Sequence, residues 1–337
     1  MSGMSKKLIK TLVRAYHTIP QGKRVWPGRV IFPLRMIVRG VANLYFEVYR
    51  IDGKERQFYC ITSSKVDHDF IGQFCANAEI TKTGELYAWN LRRFIRTHNT
   101  VIIDMHKYLS PFFSDGLITV PWVRQVLDLE IPMEDLLKHI RERKKITAYQ
   151  AEISTDTRAI KKFYETVYVP YTLKRYANAS IMDFETFNEY MLKKSGELLI
   201  VKKNGLPVGG ACCVLVQNTY HWRINGLIDE DFLNDGAMAA IYYFGIQRAK
   251  ERKALTMDLG WSRASISDGV LSYKRKWQAK IYPDIRNRVI YLKNLKKEGL
   301  IIVEEKKLKV IVFSKKNADL PLYADSGLEL KLVEPES

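Results

Sequence analysis

The sequence predicts an α+β or α/β fold: mixed, mostly antiparallel sheets flanked by helices, arranged as two subdomains. The chain has 337 residues and is 47% apolar, enough to bury a sizeable core. At roughly 100–200 residues per domain, that length suits two domains or subdomains. The second half runs in the order helix, helix, three-stranded meander, helix, strand, helix, strand. A strand–helix–strand unit after an antiparallel meander places parallel and antiparallel pairs in one sheet, with helices packed on it. The splay between the meander's last strand and the strand after the helix is a natural cleft, where ligands tend to sit.

Each element has its own signal. Residues 42–51 and 57–62 are β-rich runs around Asp52-Gly53, which predicts a hairpin. Residues 84–98 carry a helical pattern, 100–105 a strand, and 111–121 a turn-rich connection ahead of Trp122. Residues 133–145 predict a helix, with Pro132 at its start and Glu134 and Asp135 in its first turn, where acids suit the helix dipole. Helices follow at 156–168, before Val169-Pro170-Tyr171, and at 183–195. The meander comprises 197–203, 207–217 and 220–228, joined by Asn204-Gly205 and Asn218-Thr219. A helix at 236–252, a strand at 254–259, a helix at 266–277, a strand within 280–293 and a hairpin at 299–313 complete the chain.

The charge is uneven. The chain holds 54 Lys and Arg against 37 Asp and Glu, a formal net charge of +17. Residues 1–40 contain nine basic residues and no acid, so this arm carries more than half of the excess. Within it Leu8, Ile9, Leu12, Val13 and Tyr16 recur at helical spacing among Lys6, Lys7, Lys10 and Arg14. That pattern predicts a basic amphipathic helix, either docked on the body or lying on an anionic membrane surface. Trp26, Pro27 and the neighbouring basic residues suit phosphate or lipid headgroups, or nucleic acid. No window approaches the ~18 apolar residues of a membrane-spanning helix, and the first ten residues lack a signal-peptide core. Four cysteines at this length do not make a disulfide framework. The expected location is cytoplasmic, with possible peripheral attachment at the inner face of the membrane.

Residues 254–281 read ALTMDLGWSRASISDGVLSYKRKWQAKI. A strand ends in Asp258-Leu259-Gly260; a polar loop leads to Asp268-Gly269-Val270-Leu271, then to Tyr273-Lys274-Arg275-Lys276-Trp277. This segment resembles the C-terminal motif of FemAB-like proteins, a branch of the GNAT acyltransferase superfamily. Residues 133–153 resemble that family's basic linker helix, and Phe163-Tyr164 to Arg175 its aromatic helix followed by a basic residue. The resemblance spans roughly residues 120–290. It implies two GNAT-like subdomains, the first degenerate, with a basic arm at 1–40, a first subdomain with linker helix at 41–145, an acyltransferase subdomain at 146–320 and a tail at 321–337. It also implies an enzyme that transfers an acyl or aminoacyl group, from acyl-CoA or aminoacyl-tRNA, to an amine of an anionic envelope precursor, of the kind used for peptidoglycan or polysaccharide, or of a sugar nucleotide.

Acyl transfer passes through a tetrahedral oxyanion, which a positioned cation or N–H stabilises. Lys274 matches the family's aromatic-Lys position and is the candidate for that contact, or for a contact to the acyl-phosphate end. The acceptor amine must lose a proton, and Asp258 is the candidate to orient it, or else to brace the loop. Arg175 and Arg263 are candidates for a phosphate or carboxylate, a task suited to the bidentate guanidinium. Tyr164, Tyr171, Trp222 and Tyr273 are candidates to line the acceptor groove, and Gly236 and Arg275 to contact the donor. The sequence departs from acetyl-CoA users before residue 236. A glycine-rich turn would hold pyrophosphate there, yet 229–235 reads DEDFLND, four acids that oppose an anion. No metal-ligand spacing, Walker loop or Rossmann loop is present, and no metal is expected. Asp67-His68-Asp69 reads as a surface turn. The competing reading is a non-catalytic basic scaffold that binds RNA or an anionic membrane.

Overall fold

The computed structural model describes residues 44–52, 57–63, 78–98, 101–106, 109, 117–175, 181–264, 268–283, 288–293, 302–303 and 306–307. The expected helix in the N-terminal arm, Asp67-His68-Asp69 and Cys75 lie outside them. The chain divides into two units: residues 1–123, 263–268 and 283–337 form the first, and 124–262 with 269–282 the second.

The first unit is a six-stranded sheet in the order β3-β1-β2-β4-β13-β5. Its strands are β1 (Tyr45–Asp52), β2 (Gln57–Thr62), β3 (Glu79–Tyr87), β4 (Val101–His106), β5 (Leu117–Thr119) and β13 (Arg288–Lys293). The expected hairpin forms: β1 and β2 are antiparallel from Glu47↔Thr62 to Asp52↔Gln57. Residues 84–87, expected in a helix, belong to β3 instead, because pairing with β1 as far as Tyr45↔Tyr87 satisfies their backbone. Helix α1 (Ala88–Thr97) follows, and its Leu91 and Ile95, four residues apart, pack with Phe46, Val48, Ile61, Ile103, Met105 and Tyr291.

The second unit is a seven-stranded sheet in the order β12-β6-β11-β10-β9-β8-β7. It comprises β6 (Trp122–Asp128), β7 (Tyr149–Ser154), β8 (Glu197–Lys203), β9 (Leu206–Val216), β10 (Thr219–Leu227), β11 (Thr256–Arg263) and β12 (Lys280–Pro283). The meander β8-β9-β10 is antiparallel as expected. Asn204 (φ 52°) and Gly205 (φ 77°) give its first turn the left-handed pair of a tight hairpin. Cys212 and Cys213 are buried on opposite faces of β9, one in each of the unit's two apolar clusters.

Three further segments differ from expectation. The linker helix is broken: α2 (Met133–Leu137) is followed by a 3₁₀ turn at Arg143–Ala148, and 149–153 is strand β7, paired with β8. The buried positions Leu136 and Ile140 keep helical spacing, but Ile146 and Tyr149 fall off it. By contrast, α3 (Thr157–Phe163), capped by Asp156, does not stop at Tyr168. It widens to a π turn at Tyr164–Tyr168 and continues as α4 (Val169–Arg175). Pro170 has no N–H to donate and its ring crowds the carbonyl four residues back; a wider turn relieves that clash. Finally, the strand expected within 280–293 is two strands, β12 and β13, which join different sheets.

The unit is completed by α5 (Phe184–Lys193), the short α6 (Asp231–Asn234), α7 (Ala237–Glu251) and α8 (Gly269–Lys276). Residues Ile302–Val303 (β14) and Lys306–Lys307 (β15) pair as the expected C-terminal hairpin. Both large sheets are mixed, with antiparallel pairs and one parallel contact described in each, as the expected class of two mixed, mostly antiparallel sheets flanked by helices requires. The subdomain boundary falls earlier than residue 145, because 124–128 already belong to the second sheet, and residues 288–293 return to the first.

Candidate functional site

The site begins where two strands part. β10 and β11 pair in parallel at Thr219↔Thr256, Tyr220↔Met257 and His221↔Asp258, and the ladder ends there. β10 continues to Leu227 and β11 to Arg263, so the expected splay exists.

Beyond it lies a cavity of about 300 Å³ contained within the second unit. Asn225 of β10 contributes to its wall. So do Gly236, Met238, Ala239 and Tyr242 at the start of α7, and Gly269, Val270 and Tyr273 of α8. Tyr171, Thr172 and Arg175 of α4 close another side, with Leu233 and Glu142. The continuation of the helix past Pro170 is what brings Tyr171 and Arg175, four residues apart, to one wall.

The wall chemistry is mixed. The Arg175 guanidinium donates from Nη1 to the Tyr171 hydroxyl and lies 5.3 Å from the centre of that ring. Tyr242 meets Tyr273 edge to face at 5.2 Å, and behind it packs on Trp222 at 4.8 Å and Trp277 at 5.5 Å. Burial pushes the Tyr273 phenol up and the Glu142 carboxylate adds to it, so this hydroxyl stays protonated as a donor. Gly236 caps α7 with φ 91°, where a side chain would be strained; a Cβ there would lie 3.3 Å from that of Glu142 and 3.2 Å from that of Lys145.

Of the residues singled out from sequence, Arg175, Tyr171, Tyr273 and Gly236 come together in this cavity. The others do not line it. Lys274, expected to meet the oxyanion, is 4% exposed; its Nζ donates to the Trp261 carbonyl (2.9 Å) and the Ser262 hydroxyl (3.2 Å). Ser262 in turn donates to Gln125 Oε1, whose Nε2 reaches the Leu271 carbonyl, so this buried polar chain links α8 to β6 and β11.

Asp258 sits between neighbouring strands. Arg124 Nη2 is 2.7 Å from its Oδ2, His221 Nδ1 is 3.0 Å away, and the Gly260 N–H donates to Oδ1 at 3.0 Å. Burial alone would raise this carboxyl, but the hydrogen bonds from His221 and Arg124, the Arg124 charge and the Gly260 N–H hold it well below the usual carboxylate range.

Trp222 is core, under Tyr242. Tyr164 is also core, donating to the Met182 carbonyl and packed against Phe184 and Phe187. Arg263, in the first unit, lies 5.2 Å over the Trp122 ring. Arg275 lines a separate shallow depression with His139, Ser272 and Lys276.

The acidic stretch before α7 is partly neutralised. Asp235 pairs with Lys203 and accepts from the Tyr149 hydroxyl, and Glu230 pairs with Lys174 at 2.9 Å. Asp235 does not cap α7, a position taken by Gly236.

Sequence reasoning missed Glu142, Thr172, Asn225 and Tyr242 as wall residues, and Arg124 and His221 as partners of Asp258. Glu142 is hidden in the run RERKK, where the cations dominate the reading. Arg124 and His221 meet Asp258 only through strand order. Among the described residues no group of three or more His, Cys, Asp or Glu is placed to hold a metal, and no helix is long and apolar enough to cross a membrane.

No protein-family model matches the chain, and no curated protein matches it by sequence. Solved structures do. FemX is 13% identical with a TM-score of 0.43, over 88% of this chain and 98% of that one. The C-terminal domain of a protein described as a lysylphosphatidylglycerol synthetase from Agrobacterium fabrum is 14% identical with a TM-score of 0.39, over 74% and 81%. L-PGS from Bacillus licheniformis is 11% identical with a TM-score of 0.38, over 75% and 82%.

Proposed function

We propose that the chain is an N-acyltransferase of the FemAB-like kind, moving an acyl or aminoacyl group onto an amine of an anionic envelope precursor or sugar nucleotide. The cavity beside the parted strands β10 and β11 carries this reading. It is large enough for an acyl group and an attacking amine, and it faces them with a cation, a protonated phenol and a carboxylate. Proximity and oxyanion stabilisation are the two effects such a wall supplies.

In this scheme Arg175, steadied by Tyr171, contacts the negative part of a substrate, and the Tyr273 hydroxyl donates to the developing oxyanion. Lys274 is committed to Trp261 and Ser262 and acts as a positioning residue, holding α8 on β11 so that Tyr273 keeps its aim. Asp258, tied to His221, Arg124 and Gly260, braces the strand end. With Glu230 and Asp235 paired, Gly236 at the start of α7 leaves either donor admissible. Arg275, with His139 and Lys276, offers the donor's phosphates a basic ledge.

Two measurements decide the donor: thermal stabilisation by acetyl-CoA, and filter binding of charged tRNA. Binding of one of them, lost in Arg175→Ala at unchanged melting temperature, supports the reading. Retention of RNA or anionic vesicles without transfer from either donor would instead favour a non-catalytic basic scaffold.

A further inference from the structure

We infer that Glu142 is the proton acceptor of the cavity, the group that takes the proton from the incoming ammonium; this rests on the transferase reading above. Among the described residues that line the cavity, Glu142 is the one carboxylate. Its carboxylate is not committed elsewhere: the single ion-pair contact described for it is a 3.9 Å approach of Arg141, a side chain 93% exposed and worth little in water. Other buried or half-buried acids of the unit are engaged, Asp258 by Arg124 and His221, Glu197 by Arg248 and Tyr220, and Asp235 by Lys203.

The backbone holds Glu142 in place. It stands immediately before the 3₁₀ turn, and its carbonyl accepts from Lys145 N–H at 2.9 Å. Its Cβ packs against Gly236, whose missing side chain lets the segment approach the start of α7. The titratable and charged groups around it are Arg141 on its own segment, Arg175 and Tyr171 from α4, Tyr273 from α8, and Lys145, whose chain also passes Gly236.

Among these, the Glu142–Tyr273 pair divides the work. The carboxylate accepts, while burial and that same negative charge keep the phenol protonated. The ammonium gives one proton to Glu142, and the neutral nitrogen attacks the donor carbonyl carbon, forming the C–N bond and an alkoxide that accepts from Tyr273. Collapse breaks the C–O or C–S bond, the nitrogen's second proton ends on the leaving oxygen or sulfur, and Glu142 returns its proton to water.

The test compares wild type, Glu142→Gln and Glu142→Asp in the full chain, with acetyl-CoA and with alanyl-tRNA as donors. Lysine and ethanolamine serve as ammonium acceptors, and hydroxylamine as a nucleophile already unprotonated at neutral pH. Amide and hydroxamate are counted by mass spectrometry above the enzyme-free rate. We expect Glu142→Gln to lose about 100-fold in amide formation, the low end for acid–base catalysis, and to recover as pH rises toward the acceptor's own ionisation. Hydroxamate formation should stay within a few fold of wild type, and Glu142→Asp should recover part of the rate. Equal loss with hydroxylamine, or no loss with the amines, overturns the assignment. A wild type that transfers from neither donor sinks the transferase reading, and this inference with it.

Discussion

Asp258 illustrates how a single side chain reports on its neighbours. Its carboxyl is held low in the folded chain, so folding favours its charged form. The resulting stability is fully present above the ordinary Asp value of about 4 and drains away as pH falls below it. Melting temperature should therefore drop as pH is lowered below about 4, where the unfolded chain takes up a proton that Asp258 in the folded chain does not. Asp258→Asn should flatten that slope and cost about 2 kcal/mol at neutral pH, since His221 and Arg124 lose the carboxylate charge they share. Parallel thermal scans of the two proteins check this, and identical slopes would show that the acid sensitivity arises elsewhere. The sequence exposes Asp258 through its motif, but His221 and Arg124 are 37 and 134 residues away along the chain and become its neighbours only across the sheet.

At the scale of elements, the meander shows what packing demands of sequence. Gly210 lies in the middle of β9, where glycine is ordinarily a poor choice. A Cβ there would stand 2.2 Å from the Leu199 carbonyl oxygen and 3.3 Å from the Phe163 ring. Because the nearest atom is backbone, the clash cannot be relieved by a rotamer change. Gly210→Ala should cost about 3 kcal/mol or more, measured by denaturant unfolding, whereas Gly205→Ala in the turn should cost less. The same scale explains the helix that does not stop at Tyr168. A proline reads as a terminator, yet the π turn before it absorbs the misfit, and Arg175 reaches the cavity as a result. Periodicity identified α3, α5 and α7 well. It misplaced the linker because buried Ile146 and Tyr149 leave the helical repeat.

For the whole molecule, connectivity matters more than length. The first sheet is closed by β13, which lies between β4 and β5 and comes from residues that follow the entire second unit. β13 pairs with β4 from Arg288↔His106 through Lys293↔Val101 and with β5 from Ile290↔Thr119 through Leu292↔Leu117. A fragment of residues 41–123 should accordingly show no cooperative melting by circular dichroism, and appending residues 283–293 through a flexible linker should restore it. Cooperative unfolding of the bare fragment would mean that β13 is dispensable. The N-terminal arm carries a different expectation: deleting residues 1–18 should abolish sedimentation with vesicles of anionic lipid, and retained binding would place the membrane contact elsewhere on this +17 chain.

What the sequence by itself determined is local: the meander with its Asn204-Gly205 turn, the long helix after it, the fold class, and a motif at 254–281 that singles out Asp258, Tyr273 and Lys274. These follow from side-chain period and turn chemistry, which act over a few residues. Tertiary structure decided which of those residues face the cavity and which are buried supports. Lys274 turns to β11 and Tyr273 to the cavity, although they are adjacent, because successive helical residues point about 100° apart. It also brought Glu142 from a basic stretch to the wall of the cavity that Tyr273 lines. Such choices depend on strand order and on what packs against each face, neither of which is written in any one segment.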